Sequence, residues 1–250
     1  MAKIPVALQV YTVRDQIEKD PVGTYQKIAE IGYTAVEVGA QGMPACEMKA
    51  LLDDHGFACA GMHSSIEALE ADLNAATDYA HGIGTKFITC SYMPEERRRD
   101  AAGWKATAKV LCQIAGKIAE AGLVFSYHNH SFEFQKFDGE YGLDILYGNS
   151  CAALKAQIDT YWVQHGGEDP AAYIRKYAGR VPLVHIKDMT AGDEPTFTEI
   201  GNGILDWPAI FAASEAAGTE WLIVEQDVCA GPSLESAKMS YENLKKMGAI

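Results

Sequence analysis

The chain has 250 residues, 48% of them hydrophobic and 22% charged, a length usual for one (β/α)8 barrel and enough to bury roughly three quarters of its unfolded surface. Disorder is therefore excluded as a main theme. With 21 Lys+Arg against 34 Asp+Glu, the formal charge of −13 repels phosphate backbones and anionic lipid, so neither nucleic acid nor a membrane is an expected partner.

Short apolar runs alternate with longer stretches that carry apolar residues at three- and four-residue spacing, the pattern of repeated βα units. In chain order the spacing predicts a strand over Val6–Tyr11, a helix over Pro21–Ile31, a strand over Ala35–Val38 and a helix over Ala45–His55. A strand over Ala58–Met62, a helix over Ile66–His81, a strand over Phe87–Thr89 and a helix over Asp100–Ala121 follow. The fifth strand is Leu123–His128, and the irregular stretch from His130 to Gly142 leads to a short helix over Leu143–Tyr147. The pattern closes with strands over Ala156–Asp159, Leu183–Ile186 and Leu222–Glu225 and helices over Pro170–Tyr177, Trp207–Ala217 and Leu234–Met247. Eight strands with eight crossovers predict an α/β fold closed as a parallel (β/α)8 TIM barrel, formed by residues 1–250 as one domain. No Gly-rich phosphate loop follows the first strand, which argues against a doubly wound dinucleotide fold.

The six cysteines are scattered without a CxxC pair and are expected to be reduced thiols. The N-terminal apolar stretch is too short for a signal peptide, and no run approaches the roughly 18–20 residues of a membrane span. A cytoplasmic protein is expected, and assembly as a homo-oligomer is compatible with the composition.

Chemistry in such barrels sits at the carboxyl ends of the strands. Here those ends carry Gln9 and Tyr11, Glu37, His63, His128 with His130 and Glu133 beyond, Asp159, His185 with Lys187 and Asp188, and Glu225 with Asp227. Asp159, His185, Glu225 and one acidic residue after the fifth strand converge on one volume. Carboxylates that close repel one another, and a divalent cation lets them stay ionised together. Oxygen-rich donors with one nitrogen suit Mn, Mg, Co or Zn. His63, His128, Lys187, Glu37 and Trp162 are candidates for substrate binding, the tryptophan by stacking on the apolar face of a sugar. For His63 core packing is the competing reading, and for Glu37 the alternatives are proton transfer or an ion pair with Lys187. Arg14, Arg180 and Lys187 are too scattered for a phosphate clamp, so an unphosphorylated sugar or polyol is favoured.

The segments YHNHSFEF (127–134), IDTYWV (158–163), VHIKD (184–188), EIGNGILDW (199–207) and VEQD (224–227), with LQVYTVRD (8–15) and GMH (61–63), resemble the sugar phosphate isomerase/epimerase family built on the xylose isomerase-like TIM barrel. The resemblance implies one divalent metal ion held by Glu, Asp, His and Glu, with carboxylates that move a proton on a carbon next to a carbonyl. Carried onto this chain it gives Asp159, His185 and Glu225 as ligands. The family's first Glu falls where this chain has Tyr127, and Glu133 is the substitute preferred over His128 or His130. Glu133 and Glu225 are then the expected catalytic carboxylates. The implied function is a sugar isomerase or epimerase working through an enediolate on a keto-sugar or polyol; the alternative is a lyase that eliminates water from a keto-sugar, keto-inositol or keto-glycoside at the same site. A phosphodiesterase on the same barrel is disfavoured by the charge, and a sugar-binding barrel without turnover is the reading from a different class.

Overall fold

A computed structural model describes residues 3–39 and 42–250 of the chain. Eight strands close into a barrel: β1 (Val6–Gln9), β2 (Ala35–Gly39), β3 (Ala58–Ser64), β4 (Phe87–Cys90), β5 (Val124–His128), β6 (Leu154–Asp159), β7 (Leu183–Ile186) and β8 (Trp221–Val224). Each pairs in parallel with its sequence neighbours, and β1 closes the ring on β8. This is the barrel that the βα alternation predicts.

The side-chain period of two sorts each strand into an inner and an outer face. Ala7, Ala35, Ala60, Phe87, Leu183 and Ile223 form a small apolar plug separate from the main core. Two residues on in the same parity stand Gln9, Glu37, Thr89, His185 and Glu225, all buried. The outer faces, with Tyr127 and Phe125 among them, join the large core shared with the surrounding helices. The lumen is thus apolar at one end and polar at the end where the strands finish.

β3 departs from this alternation. The register with β2 shifts between Val36 and Glu37, a bulge that places Glu37 opposite Gly61. Both Ala60 and His63 can then face inward although three residues separate them. A Cβ on Gly61 would meet Glu37 Oε1 at 2.7 Å, so only glycine leaves room for that carboxylate.

Several local expectations are redrawn. The helix expected over Ile66–His81 is two, Ile66–Ala71 and Leu73–Ile83, because Asp72 leaves the helical region and caps the second through its side chain on Ala75 N. The irregular stretch after β5 contains a small antiparallel pair, Lys136–Phe137 with Glu140–Tyr141. β1 stops at Gln9, and Val10–Val13 turn as a 3₁₀ helix. Cys112 and Cys151 are joined as a disulfide between the helix Ala101–Glu120 and the segment leading into β6, which corrects the expectation that every thiol is free.

After β7 the Asp188 carboxylate accepts from Gly201 N at 2.8 Å, Gly203 N at 3.2 Å, Leu205 N at 3.2 Å and Trp207 Nε1 at 2.9 Å. One buried carboxylate therefore folds the whole EIGNGILDW segment. A Cβ on Gly203 would come within 2.2 Å of Asp188 Oδ1, which accounts for glycine there.

Candidate metal centre

The polar end of the lumen is built around a linked set of buried side chains. Glu37, fully buried on β2, accepts from Gln9 Nε2 at 2.7 Å and from Gln157 Nε2 at 2.7 Å, and His185 Nε2 lies 2.6 Å away. The other ring nitrogen of His185, Nδ1, lies 2.8 Å from Glu225 Oε2. His63 Nε2 is 2.8 Å from Gln157 Oε1 and 3.1 Å from Glu37, while His128 Nδ1 is 3.0 Å from the same glutamine oxygen. Lys187 brings its ammonium to 2.5 Å from Glu225 Oε2, 2.9 Å from Asp159 Oδ2 and 3.0 Å from Asp227 Oδ1.

Protonation follows from these neighbours. Burial pushes the His185 imidazole down, but Glu37 and Glu225 on its two nitrogens outweigh it and raise it to about 9. At neutral pH both ring N–H groups therefore donate to carboxylates. Glu37 and Glu225 are correspondingly held below the usual carboxylate range, burial being overcome by His63 and His185 for the first and by Lys187 and His185 for the second. Asp159 is raised to about 6, because burial exceeds the pull of Lys187 and His185. His128 is lowered by burial and by the neighbouring cations, and His130 falls to about 3 for the same reasons, so both rings are neutral.

One donor atom each from His128, Asp159, His185 and Glu225 lies within 4.8 Å of the other three, and all four residues are buried. Two imidazoles and two carboxylates at this spacing fit a divalent ion such as Mn, Co or Zn, and the two nitrogens make Mg a poorer fit. Asp159 supports the fit independently. Its Oδ1 caps the next helix by accepting from Trp162 N at 2.9 Å, while among the described residues buried Oδ2 has no hydrogen-bond donor and only the ion-pair contact of the Lys187 ammonium at 2.9 Å.

The structure gathers three of the four expected ligands, Asp159, His185 and Glu225, and places Glu133 elsewhere. Glu133 lies in the 3₁₀ turn Phe132–Phe134, fully buried, with Oε1 accepting from Tyr127 OH at 2.5 Å and Oε2 from His130 N at 2.8 Å. Tyr127 faces the outer core, so its partner is held behind the wall, apart from the four-donor set. His128, one residue on, faces the lumen and fills the fourth corner. The gathered set differs from the expected one by strand parity, since one residue along β5 exchanges the two faces completely.

Other expectations meet mixed outcomes. Glu37 makes no ion pair with Lys187; it sits beneath the cluster and steers His63 and His185. Lys187, His63 and His128 line a cleft of about 680 Å³ over the cluster, together with His130, Glu225 and Asp227, a size usual for small-molecule sites. Trp162 stands one layer back from it, with its ring 5.5 Å from that of His130 and 5.5 Å from that of Phe197. His130 Nδ1 and Trp162 Nε1 are buried without hydrogen-bond partners among the described residues. Missing from the expected set were Gln9 and Gln157, which hold Glu37 and the two histidines. Gln157 carried a usable signal, standing two residues before Asp159 and hence on the same face of β6.

Against known proteins, residues 25–247 match the family described as xylose isomerase-like TIM barrel. An inosose dehydratase from Geobacillus kaustophilus is 27% identical over 88% of this chain and 85% of its own. A rhizopine catabolism protein from Rhizobium meliloti is 25% identical over 89% of this chain and 80% of its own. Among solved structures, a sugar phosphate isomerase/epimerase from Parabacteroides distasonis superposes with a TM-score of 0.85 at 21% identity, over 100% of this chain and 96% of the other.

Proposed function

The chain belongs to the xylose isomerase-like TIM-barrel family, and we propose that it is a metal-dependent lyase that dehydrates a cyclic polyhydroxy ketone of the inosose class. The observation that carries the proposal is the buried set His128, Asp159, His185 and Glu225 beneath a cleft lined by proton-carrying groups. The names of the dehydratases among its relatives favour elimination over the isomerisation that the sequence motifs first suggest.

In this reading the four residues would hold a divalent ion, which would supply a Lewis acid for the ketone oxygen and for the charge that develops there. Glu225 faces His185 and Lys187 through Oε2, the oxygen that would turn to the ion in their place. Its other oxygen, Oε1, is the proton acceptor for the carbon next to the ketone. Lys187 protonates the hydroxyl leaving from the following carbon, so that one C–H and one C–O bond break, a C=C bond forms and water departs. The product enol then rearranges to a diketone. Glu37 keeps His185 oriented from below, as an outer carboxylate does for a metal-bound histidine. His63 and His130 offer hydrogen bonds to the remaining hydroxyls.

The test is turnover of an inosose by chelator-treated protein resupplied with Mn or Co ions, followed by mass spectrometry. A product lighter by one water is expected. A product of unchanged mass but altered configuration would restore the epimerase reading, and no conversion of either kind removes the assignment.

A further inference from the structure

We infer that the Lys187 ammonium and the divalent ion exclude each other from Asp159 and Glu225, and that Asp227 is the position to which the ammonium withdraws when the ion enters. This rests on the reading of His128, Asp159, His185 and Glu225 as the ion's seat.

The ammonium stands where a cation would be held. It lies 2.5 Å from Glu225 Oε2 and 2.9 Å from Asp159 Oδ2, touching both carboxylates of the four-donor set. An ion bonded to these two carboxylates at roughly 2.0–2.2 Å would leave the lysine nitrogen only a few ångströms away. Two positive charges that close in a buried site repel strongly, because little water screens them. The lysine stem is 2% exposed and cannot swing out to solvent. A third carboxylate lies in reach, however: Asp227 Oδ1 at 3.0 Å and Oδ2 at 3.2 Å both accept from the same ammonium. Asp227 follows β8 on the cleft wall, with its side chain 21% exposed. A small rotation that gives up Asp159 and Glu225 and keeps Asp227 makes room for the ion. It also leaves the ammonium lining the cleft, where a substrate oxygen can meet it. Lys187 is therefore a placeholder that prevents two buried carboxylates and the half-buried Asp227 from repelling one another while no ion is bound.

The experiment is calorimetric titration of chelator-treated protein with Mn ions at one pH and ionic strength, for the wild type, Lys187→Met, Asp227→Asn and the double variant. Removing the ammonium is expected to tighten Mn binding by about tenfold, within the coupling that contacting charges show. Asp227→Asn is expected to weaken it, since the ammonium then keeps to Glu225. In the Lys187→Met background the same Asp227 change should alter affinity less than in the wild type, which separates withdrawal from a general loss of negative charge. Affinity in Lys187→Met equal to or below wild type would overturn the exclusion. Equal effects of Asp227→Asn in both backgrounds would overturn the withdrawal, and that comparison stands on protein retaining wild-type circular dichroism. If neither wild type nor Lys187→Met takes up Mn, the seat itself is wrong, and the proposed function falls with it; lack of turnover by protein that does bind Mn removes the function alone.

Discussion

Glu225 and Glu133 are the same side chain, both buried, on opposite sides of the barrel wall. Glu225 faces the lumen between the Lys187 ammonium and the His185 imidazole and is held ionised below the usual carboxylate range. Glu133 sits behind β5 with a phenol and a peptide N–H for partners, and burial raises it to about 8 against those hydrogen bonds. Tyr127, its phenol partner, is raised as well, first by burial and then by Glu133 itself. Burial alone thus does not make a carboxylate a ligand. Cations must be arranged around it so that it stays charged, and the lumen supplies them where the outer wall does not.

The widest separation between the two sides should come from ligand removal. His128→Ala is expected to weaken Mn binding by roughly a hundredfold or more, beyond what loss of an outer hydrogen-bonding partner typically costs. Glu133→Gln should leave the same calorimetric titration within about twofold of wild type, as expected for a change away from the bound ion. A Mn affinity that falls equally in both would erase the distinction between lumen and wall.

A second contrast lies in pH. His185, at about 9, must give up a proton before one of its nitrogens can bind an ion. Below that value protons compete, so Mn affinity should rise with pH by up to about tenfold per unit between about 7 and 9. Titration at pH 7.5 in buffers of differing ionisation enthalpy should show about one proton released per ion. Affinity independent of pH across that interval would mean that His185 is not a ligand.

The wall side makes the smallest and opposite prediction. A carboxyl raised from its ordinary 4.5 to about 8 favours the folded state fully at low pH, and that contribution is lost as pH climbs through 8. The wild-type melting temperature should therefore fall between pH 6 and 9 relative to Glu133→Gln, by roughly 5 °C. Parallel melting curves for the two proteins across that range would show that Glu133 is ionised throughout.

Much of the site was legible because strand ends in such a barrel are few and the residues on them are distinctive. Asp159, His185 and Glu225 each end an apolar run, and the βα alternation places those ends on one face. Tyr127 and His128 were harder, since only the parity running from Ser126 decides which of them looks inward. Ser126 shows it by bonding Thr89, its lumen-facing partner on the adjacent strand β4, at 2.6 Å. His63 depends on the bulge opposite Glu37, which unbroken alternation from Ala60 would have turned outward. The break at Asp72 was written in a side chain that caps a helix as readily as it sits on one.

By itself the sequence determined the order of strands and helices and the kinds of side chain delivered to the barrel mouth, because hydrophobic periodicity and strand termini are local properties. Tertiary structure decided which of two neighbours reached the lumen, which carboxylates met a cation, and that Cys112 would find Cys151. Those outcomes depend on registers and distances between segments remote in the chain. A one-residue shift there reverses a side chain's surroundings while leaving the sequence pattern almost unchanged.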